Sequence, residues 1–569
     1  MKTKKLLSVI LSLVITISSL SFAAVSASAA QITPVTPQKD TGGVYQIGTA
    51  EELYGFAQLV NSGAEPSASA VLTADITVNK NLLSSLEFDE NKNVTNGDNF
   101  VSWTPIGTDY DHTYTGKFDG QGHTISGLYF NAPSTDYVGL FGYLAENGEI
   151  KNVGVIDSYF VGCWRLGGVC GWNDSGTITG CYNTGTVSGS EFVGGVCGHI
   201  SSNGKITDCY NTGTVSGSSN VGGVCGLNEF CTITGCYNTG TVSSSGGYVG
   251  GVCGRNENGT ITNCYNSGEV SGEYYVGGVC GLNMDGTITG CYNTGTVSGT
   301  GSSSQYIGGV CGSNECVGKI TGCYNTSTVS GSNRVGGVCG YNSGRITGCY
   351  NTSTVSGSNH VGGVCGYNES KSTITGCYTN SGGVYGYNNG TVKDCEEYTG
   401  DEFKDGTVCA LLNKAIGSSY DVTFYQGEEI PLFFSKTENR YCTVNYAVDP
   451  TYTVTIPQTV TLGQTATIKA DDVLLDEDKQ LEVYLTGTSE TDNAFKVKSA
   501  EGAELEYTVN DGTKDISIDE TVLTVNPDNS ANGSATLKFN APSDSDIIYA
   551  GKYTGTVTFT VSVADTQNS

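Results

Sequence analysis

Between Val138 and Cys395 the apolar positions fall in short runs separated by small and polar residues, and the whole phrase recurs about every 28 residues. One copy reads Val193 to Gly198 (VGGVCG), a short turn, Ile206 to Asn211 (ITDCYN), then Thr214-Val215-Ser216. A fixed period marks stacked units that bury a face only against their neighbours. The unit is rich in Val, Ile, Thr, Tyr and Gly and carries no 3.6-residue stripe, so each copy predicts a coil of short strands. The expected fold is all-β, a parallel β-helix.

Two cysteine columns define the coil. The Cys of VGGVCG recurs as Cys170, Cys197, Cys225, Cys253, Cys280, Cys311, Cys339 and Cys365. That of CYN recurs as Cys181, Cys209, Cys236, Cys264, Cys291, Cys323, Cys349 and Cys377. Ile178 and Cys181 stand three apart, which breaks strict alternation if both point inward. The residue before each CYN cysteine is always Gly, Asn or Asp (Gly180, Asp208, Gly235, Asn263, and so on to Asp394), the types that accept a left-handed backbone. A bend is expected there, with Val187, Val215, Val242, Val270, Val297, Val329 and Val355 as a third inward column. In the first copy Phe141 and Val153 stand where cysteines stand later, so the cysteines read as core ladders of small hydrophobes. Disulfides between neighbouring coils are the competing reading, and a zinc site is disfavoured because no CxxC spacing and no recurring His accompany them.

The ends are written differently. Residues 1–30 read as a signal peptide: Lys2, Lys4 and Lys5, an apolar run, then Ala27-Ser28-Ala29. Residues 31–43 form a linker, and 44–137 an N-terminal cap with irregular first coils. A helix is predicted there, capped by Thr49 with Glu52 three residues on, burying Leu53, Phe56, Leu59 and Val60 and stopping at Gly63. The repeats fill 138–396, a second cap 397–435 and a linker 436–450. From 451 to 569, strands follow one another without cysteine, which predicts a β-sandwich.

Charge narrows the function. The formal charge is −29, and removing three lysines and no acids with the leader takes it to −32. Nucleic acid is excluded as a partner and membrane insertion after signal cleavage is not expected, since both polyanionic surfaces call for a basic footprint and no second apolar stretch is long enough. Twenty-two cysteines in an exported chain, if reduced, point to an anaerobic habitat. Charged residues between Gly168 and Gly390 number sixteen in 223 positions and read as scattered, forming no column with a partner. Paired carboxylates for glycoside hydrolysis do not converge, and with four histidines and no His-Glu-x-x-His there is no zinc-peptidase signature. Asp109, Asp111, His112, Asp119 and His123 cluster in sequence as the strongest departure from this. Asp471-Asp472 with Asp476-Glu477-Asp478 reads as a solvated loop, its spacing matching no EF-hand. No catalytic residue, metal ligand or cofactor is assigned.

The outward candidates are ranks. Tyr182, Tyr210, Tyr237, Tyr265, Tyr292, Tyr324, Tyr350 and Tyr378 are expected to point out in one row, either as a contact stripe for host or plant glycans or other surface proteins, or as a ladder in which each ring shields the next coil. Asn173, Asn228, Asn256, Asn283, Asn314, Asn342, Asn368 and Asn388 suggest amide ladders at a corner. Thr-Ile-Thr ranks such as 177–179 suggest an ice-binding face, interrupted by Lys205, Lys319 and Arg345.

The segments YQIGTAEELYGFAQLVN at 45–61, WTPIG at 103–107 and YTGKFDGQGHTISGLYF at 114–130, with the VGGVCG and ITGCYN units, resemble the GLUG-repeat proteins of bacterial surfaces. Such repeats also flank some IgA-cleaving metallopeptidases. The resemblance extends to EFKDGTVCALLN at 402–413 and implies a right-handed parallel β-helix, exported and non-catalytic; AGKYTGTVTFTVSV at 550–563 is similar to the last strand of Gram-positive surface sandwiches. Together these predict an extracellular, secreted or non-covalently surface-associated adhesin, spacer or binding scaffold. The alternative is a polysaccharide-active lyase or hydrolase on the same scaffold.

Overall fold

The computed structural model describes residues 31–417, 422–427, 430–435, 451–455, 465–474, 479–488, 495–499, 504–518, 520–525, 533–540, 553–554 and 557–565. The expected signal peptide and the 436–450 linker lie outside them. Contacts divide the chain into two compact units, Met1–Lys436 and Thr437–Ser569.

The first unit is a β-solenoid. Each turn contributes to four sheets of 14, 12, 15 and 10 strands, and the register runs one copy onto the next. In a typical turn the strands are Cys197–Ser201, Lys205–Thr207 and Tyr210–Asn211, followed by Val215–Gly222. Cys170 pairs with Cys197, Ile178 with Ile206 and Tyr182 with Tyr210, all in parallel. Like therefore sits on like, and a two-residue strand such as Tyr210–Asn211 persists because the turns above and below complete its hydrogen bonds.

The bend before the CYN cysteine is present. Gly180, Asp208, Gly235, Asn263 and Asp394 have φ of 60°, 52°, 65°, 54° and 53°. It turns Ile178, Cys181 and Val187 into one core, where all three are fully buried together with their counterparts up the stack. Val355 alone of the valine column is only partly buried, near the worn end of the array.

All 21 cysteines of the described residues are free thiols, and the sixteen in the two columns are buried. Burial pushes thiols such as Cys181 and Cys365 up, which keeps them protonated. The two columns differ in a way the sequence did not suggest. The CYN sulfurs receive backbone N–H groups from the turn before: Cys181 N–H donates to Cys209 Sγ at 3.3 Å and Cys236 N–H to Cys264 Sγ at 3.3 Å. The VGGVCG thiols make their closest backbone contact as donors, as Cys253 Sγ does to the Arg255 carbonyl at 3.1 Å. Reading both columns as plain hydrophobes is thus corrected for the CYN column, where sulfur also completes the bend's backbone.

Two amide ladders run through the interior. The expected one links Asn228, Asn256, Asn283, Asn314, Asn342, Asn368 and Asn388 by Nδ2-to-Oδ1 bonds of 2.6 to 2.9 Å. Leu144 in the turn before Asn173 and Ile200 in the turn before Asn228 interrupt it, leaving the Oδ1 atoms of both asparagines without a partner. The second ladder, unforeseen, joins the CYN asparagines Asn183, Asn211, Asn238, Asn266, Asn293, Asn325 and Asn351 at 2.7 or 2.8 Å. Each also donates to a carbonyl two residues on, as Asn266 does to Gly268 at 2.8 Å.

The N-terminal helix spans Ala50–Asn61 and the Thr49 side chain accepts from Glu52 N–H. The reciprocal arm reaches one residue further back than a capping box requires: Glu52 accepts from Gly48 N–H at 2.8 Å. Leu53, Phe56 and Val60 are buried in the solenoid core, while Leu59 is only partly covered. At the other end the register sets Tyr385 opposite Cys365, and helices Gly400–Lys404 and Thr407–Ile416 follow.

The second unit is a set of antiparallel strands in a five-stranded and two three-stranded sheets. Ile468, Val509 and Leu537 of the first share a core with Leu481, Val483 and Val525 of the second. Asp471 and Asp472 lie in the strand Thr465–Leu474, not in a loop; residues 476–478 fall outside the described residues.

Candidate functional site

The tyrosine row stacks with ring centroids 4.7 to 5.0 Å apart and planes within 10° from Tyr182 to Tyr350. The rings thus cover one another's faces. The expectation of eight outward rings is corrected at one end: Tyr324, Tyr350 and Tyr378 are buried against Phe403, Val408, Leu412 and Phe424 of the C-terminal cap. The Tyr350 hydroxyl donates to the Pro431 carbonyl, and burial drives its ionisation well above the usual range. Tyr182, Tyr210, Tyr237 and Tyr265 remain half-buried. The row therefore doubles as the seat of the cap.

The N-terminal cluster does not assemble. His112 pairs with Asp109 at 2.9 Å, His123 with Asp75 at 3.3 Å and Asp119 with Lys151 at 3.3 Å. Among the described residues no group of three or more His, Cys, Asp or Glu is placed to hold a metal. Lys205, Lys319 and Arg345 sit in register within the Thr-Ile-Thr rank.

The feature that sequence reasoning missed lies at another corner. The residue before each VGGVCG-type motif is Tyr137, Arg165, Phe192, Asn220, Tyr248, Tyr275, Tyr306, Arg334 or His360, and all nine have φ between 51° and 64°. Beside them runs a column two residues after the motif's second sheet begins: Tyr143, Trp172, His199, Leu227, Arg255, Leu282, Ser313, Tyr341 and Tyr367. The corner explains the last glycine of the motif, since a Cβ on Gly226 would stand 2.6 Å from the Phe192 carbonyl carbon. The available signal was positional: one slot per repeat filled by bulky, dissimilar residues.

The two columns interlock. The Arg165 guanidinium lies 4.6 Å from the Trp172 ring centroid and 5.8 Å from that of Phe192. Arg334 lies 4.9 Å from Tyr306 and 5.1 Å from Tyr367. Tyr248, Tyr275 and Tyr306 stack at 4.8 and 4.7 Å. His199 accepts from Arg165 Nε at Nδ1, 3.3 Å, and approaches Glu229 at 3.2 Å through Nε2. Burial, reinforced by Arg165, lowers its pKa to about 4, so the ring is neutral at pH 7.

Acids thought to be scattered form a third column with partners, which corrects the sequence reading. Tyr143 donates to Asp174 at 3.1 Å, Arg255 pairs with Glu257 at 2.8 Å, Ser313 donates to Glu315 at 2.8 Å and Tyr341 to Glu369 at 2.9 Å.

Six segments, residues 162–188, 189–216, 217–243, 245–271, 272–298 and 331–356, match the GLUG motif. The β-solenoid thus carries six GLUG motif repeats. The chain is 35% identical over 164 residues, 27% of its length, to a protein named Halomucin from Haloquadratum walsbyi, of which the match covers 2%. It is also 35% identical over 78 residues, 13% of its length, to a protein from Evansella cellulosilytica described as a Gly-rich membrane protein, of which the match covers 9%. The chain spans a small fraction of either relative. No solved structure matches it. Among the described residues no helix is long and apolar enough to cross a membrane.

Proposed function

We propose that the protein is a non-catalytic scaffold of the cell exterior, a rigid spacer or adhesin that is secreted or held at the surface. The observation that carries this reading is the self-pairing of the solenoid. Its ranks of Tyr, Asn, Cys and Thr engage the same residue one turn away, and the acids of the third column are held by partners within the wall. Such surfaces present a repeating texture and lack the converging acid and base that hydrolysis or elimination needs. The relatives' printed names, one a mucin by name and one a membrane protein, agree with an exterior setting.

Two measurements test it. Protease shaving and antibody labelling of intact producing cells, with analysis of the medium, should find the chain outside; recovery only from the cytosol overturns the reading. Incubation of the purified chain with a panel of neutral and acidic polysaccharides should release no new reducing ends and no absorbance of unsaturated uronates, and release of either makes it an enzyme.

A further inference from the structure

The tyrosine row carries one kind of stack through two environments. Tyr182 with Tyr210, Tyr210 with Tyr237 and Tyr237 with Tyr265 hold their ring centroids 4.7, 4.8 and 4.8 Å apart, with planes within 4° of parallel. All four side chains are half-buried, so each keeps part of its surface in reach of solvent. Tyr324 and Tyr350 stack in the same way, at 4.9 Å and 10°, but are 5% and 0% exposed beneath the cap. Ring geometry is thus nearly constant along the row, while access is shut off at one end.

Phenols held in contact one turn apart are an arrangement in which radicals couple. The sixteen column thiols do not compete for an oxidant from solvent, because they are buried and burial keeps thiols such as Cys181 and Cys365 protonated; Cys316 is the exposed exception.

We propose that the uncovered part of the row is a site of oxidative cross-linking, in which neighbouring tyrosines of consecutive turns couple to dityrosine. The oxidant is hydrogen peroxide used by a haem peroxidase. In each of two rings the phenol gives one electron to the oxidised haem and its O–H proton to water, leaving a tyrosyl radical. The radicals join through a new bond between ring carbons ortho to the oxygens, and the hydrogen on each of those carbons moves to the oxygen, restoring both phenols. The pair loses two hydrogen atoms, and one peroxide becomes two waters. The stack supplies the second phenol beside the first, which makes the coupling intramolecular. Each ring must swing from face-to-face towards edge-to-edge, a motion open to a half-buried side chain and closed to one sealed under the cap. Each bond ties two turns that the backbone joins only through about 28 residues, hardening the rod after export. The proposal rests on the exterior setting for its supply of peroxide, but the purified chain tests it wherever the chain resides.

The test treats the dilute full chain, with Cys316 alkylated beforehand, with hydrogen peroxide and a haem peroxidase, and reads dityrosine fluorescence, intact mass and tryptic peptides. Trypsin cuts after Lys205 and Arg255, so a bond from Tyr182 to Tyr210 joins two separate peptides. The monomer should lose two hydrogens per bond, and links among Tyr182, Tyr210, Tyr237 and Tyr265 should exceed those from Tyr324 to Tyr350 by roughly tenfold or more. Tyr210→Phe, which keeps a stacked ring but no phenol, should remove both links of Tyr210 and spare that from Tyr237 to Tyr265, with the circular dichroism spectrum kept. Denaturing the chain before oxidation should erase the preference. Absence of dityrosine from the native monomer, a preference that survives denaturation, or links from Tyr324 to Tyr350 as frequent as the uncovered ones overturns the proposal.

Discussion

The unequal cysteine columns give the sharpest test of the core. Cys264→Val removes the sulfur that accepts the Cys236 N–H at 3.3 Å, inside a stack where no water reaches that amide. A buried donor left without an acceptor costs about 1–3 kcal/mol. Cys253→Val, at a position whose thiol makes its closest backbone contact as a donor to a carbonyl at 3.1 Å, swaps one small hydrophobe for another and should cost under about 1.5 kcal/mol. Solenoid turns lean mainly on nearest neighbours, so the damage should be local rather than spread evenly. Native-state hydrogen exchange read on peptides covering Cys236 should therefore speed up by roughly 5- to 150-fold in Cys264→Val. The same amide should be little changed in Cys253→Val. Equal effects of the two variants, or an unchanged Cys236 amide, would refute the claim that sulfur serves the backbone.

Other consequences can be measured separately. Asn266→Ala should destabilise the solenoid by about 2–4 kcal/mol in denaturant unfolding, because Asn238 and the Gly268 carbonyl lose partners; Asn266→Asp, though isosteric, should be worse, since it sets oxygen against oxygen. Tyr350→Ala should cost about 3–5 kcal/mol and loosen the cap, while Tyr210→Ala, half-buried in the same row, should cost less than half as much. His199 is depressed from 6.5 to about 4, so its contribution is complete above pH 6.5 and is lost as pH falls from there towards 4. The stability difference from His199→Phe should shrink over that window by at most about 3 kcal/mol. Thiol titration of the native protein should label exposed Cys316 first, and the column cysteines only on unfolding; far fewer thiols than cysteines in the denatured, unreduced chain would mean bridged ladders.

Much of the architecture was legible because the repeat exposes it. The Gly, Asn or Asp before each CYN cysteine announced a left-handed bend, and the Asn after each GVCG announced an amide ladder. What stayed hidden depended on neighbours that a single copy does not reveal. Asn183 and its counterparts looked like part of the CYN phrase, and only the stack shows that they bond to each other. Cys209 looked like filler because Val153 stands in its place in the first copy, which says nothing of the N–H that Cys209 meets. The corner from Tyr137 to His360 was illegible for the opposite reason: Tyr, Arg, Phe and Asn share no chemistry, only a backbone conformation, and a reading by residue type passes over such a slot. The acid column was lost in the same way, because Ser201 and Met284 interrupt it and a count of charges ignores register.

Like-on-like register has a bearing on how this chain can change. Because every interior turn offers nearly the same upper and lower surface, removing or adding one whole copy rejoins surfaces that already match. Each such event shortens or lengthens the rod by about 4.8 Å and leaves the two end caps untouched. Reach is thus adjustable in fixed steps, without redesign of any interface.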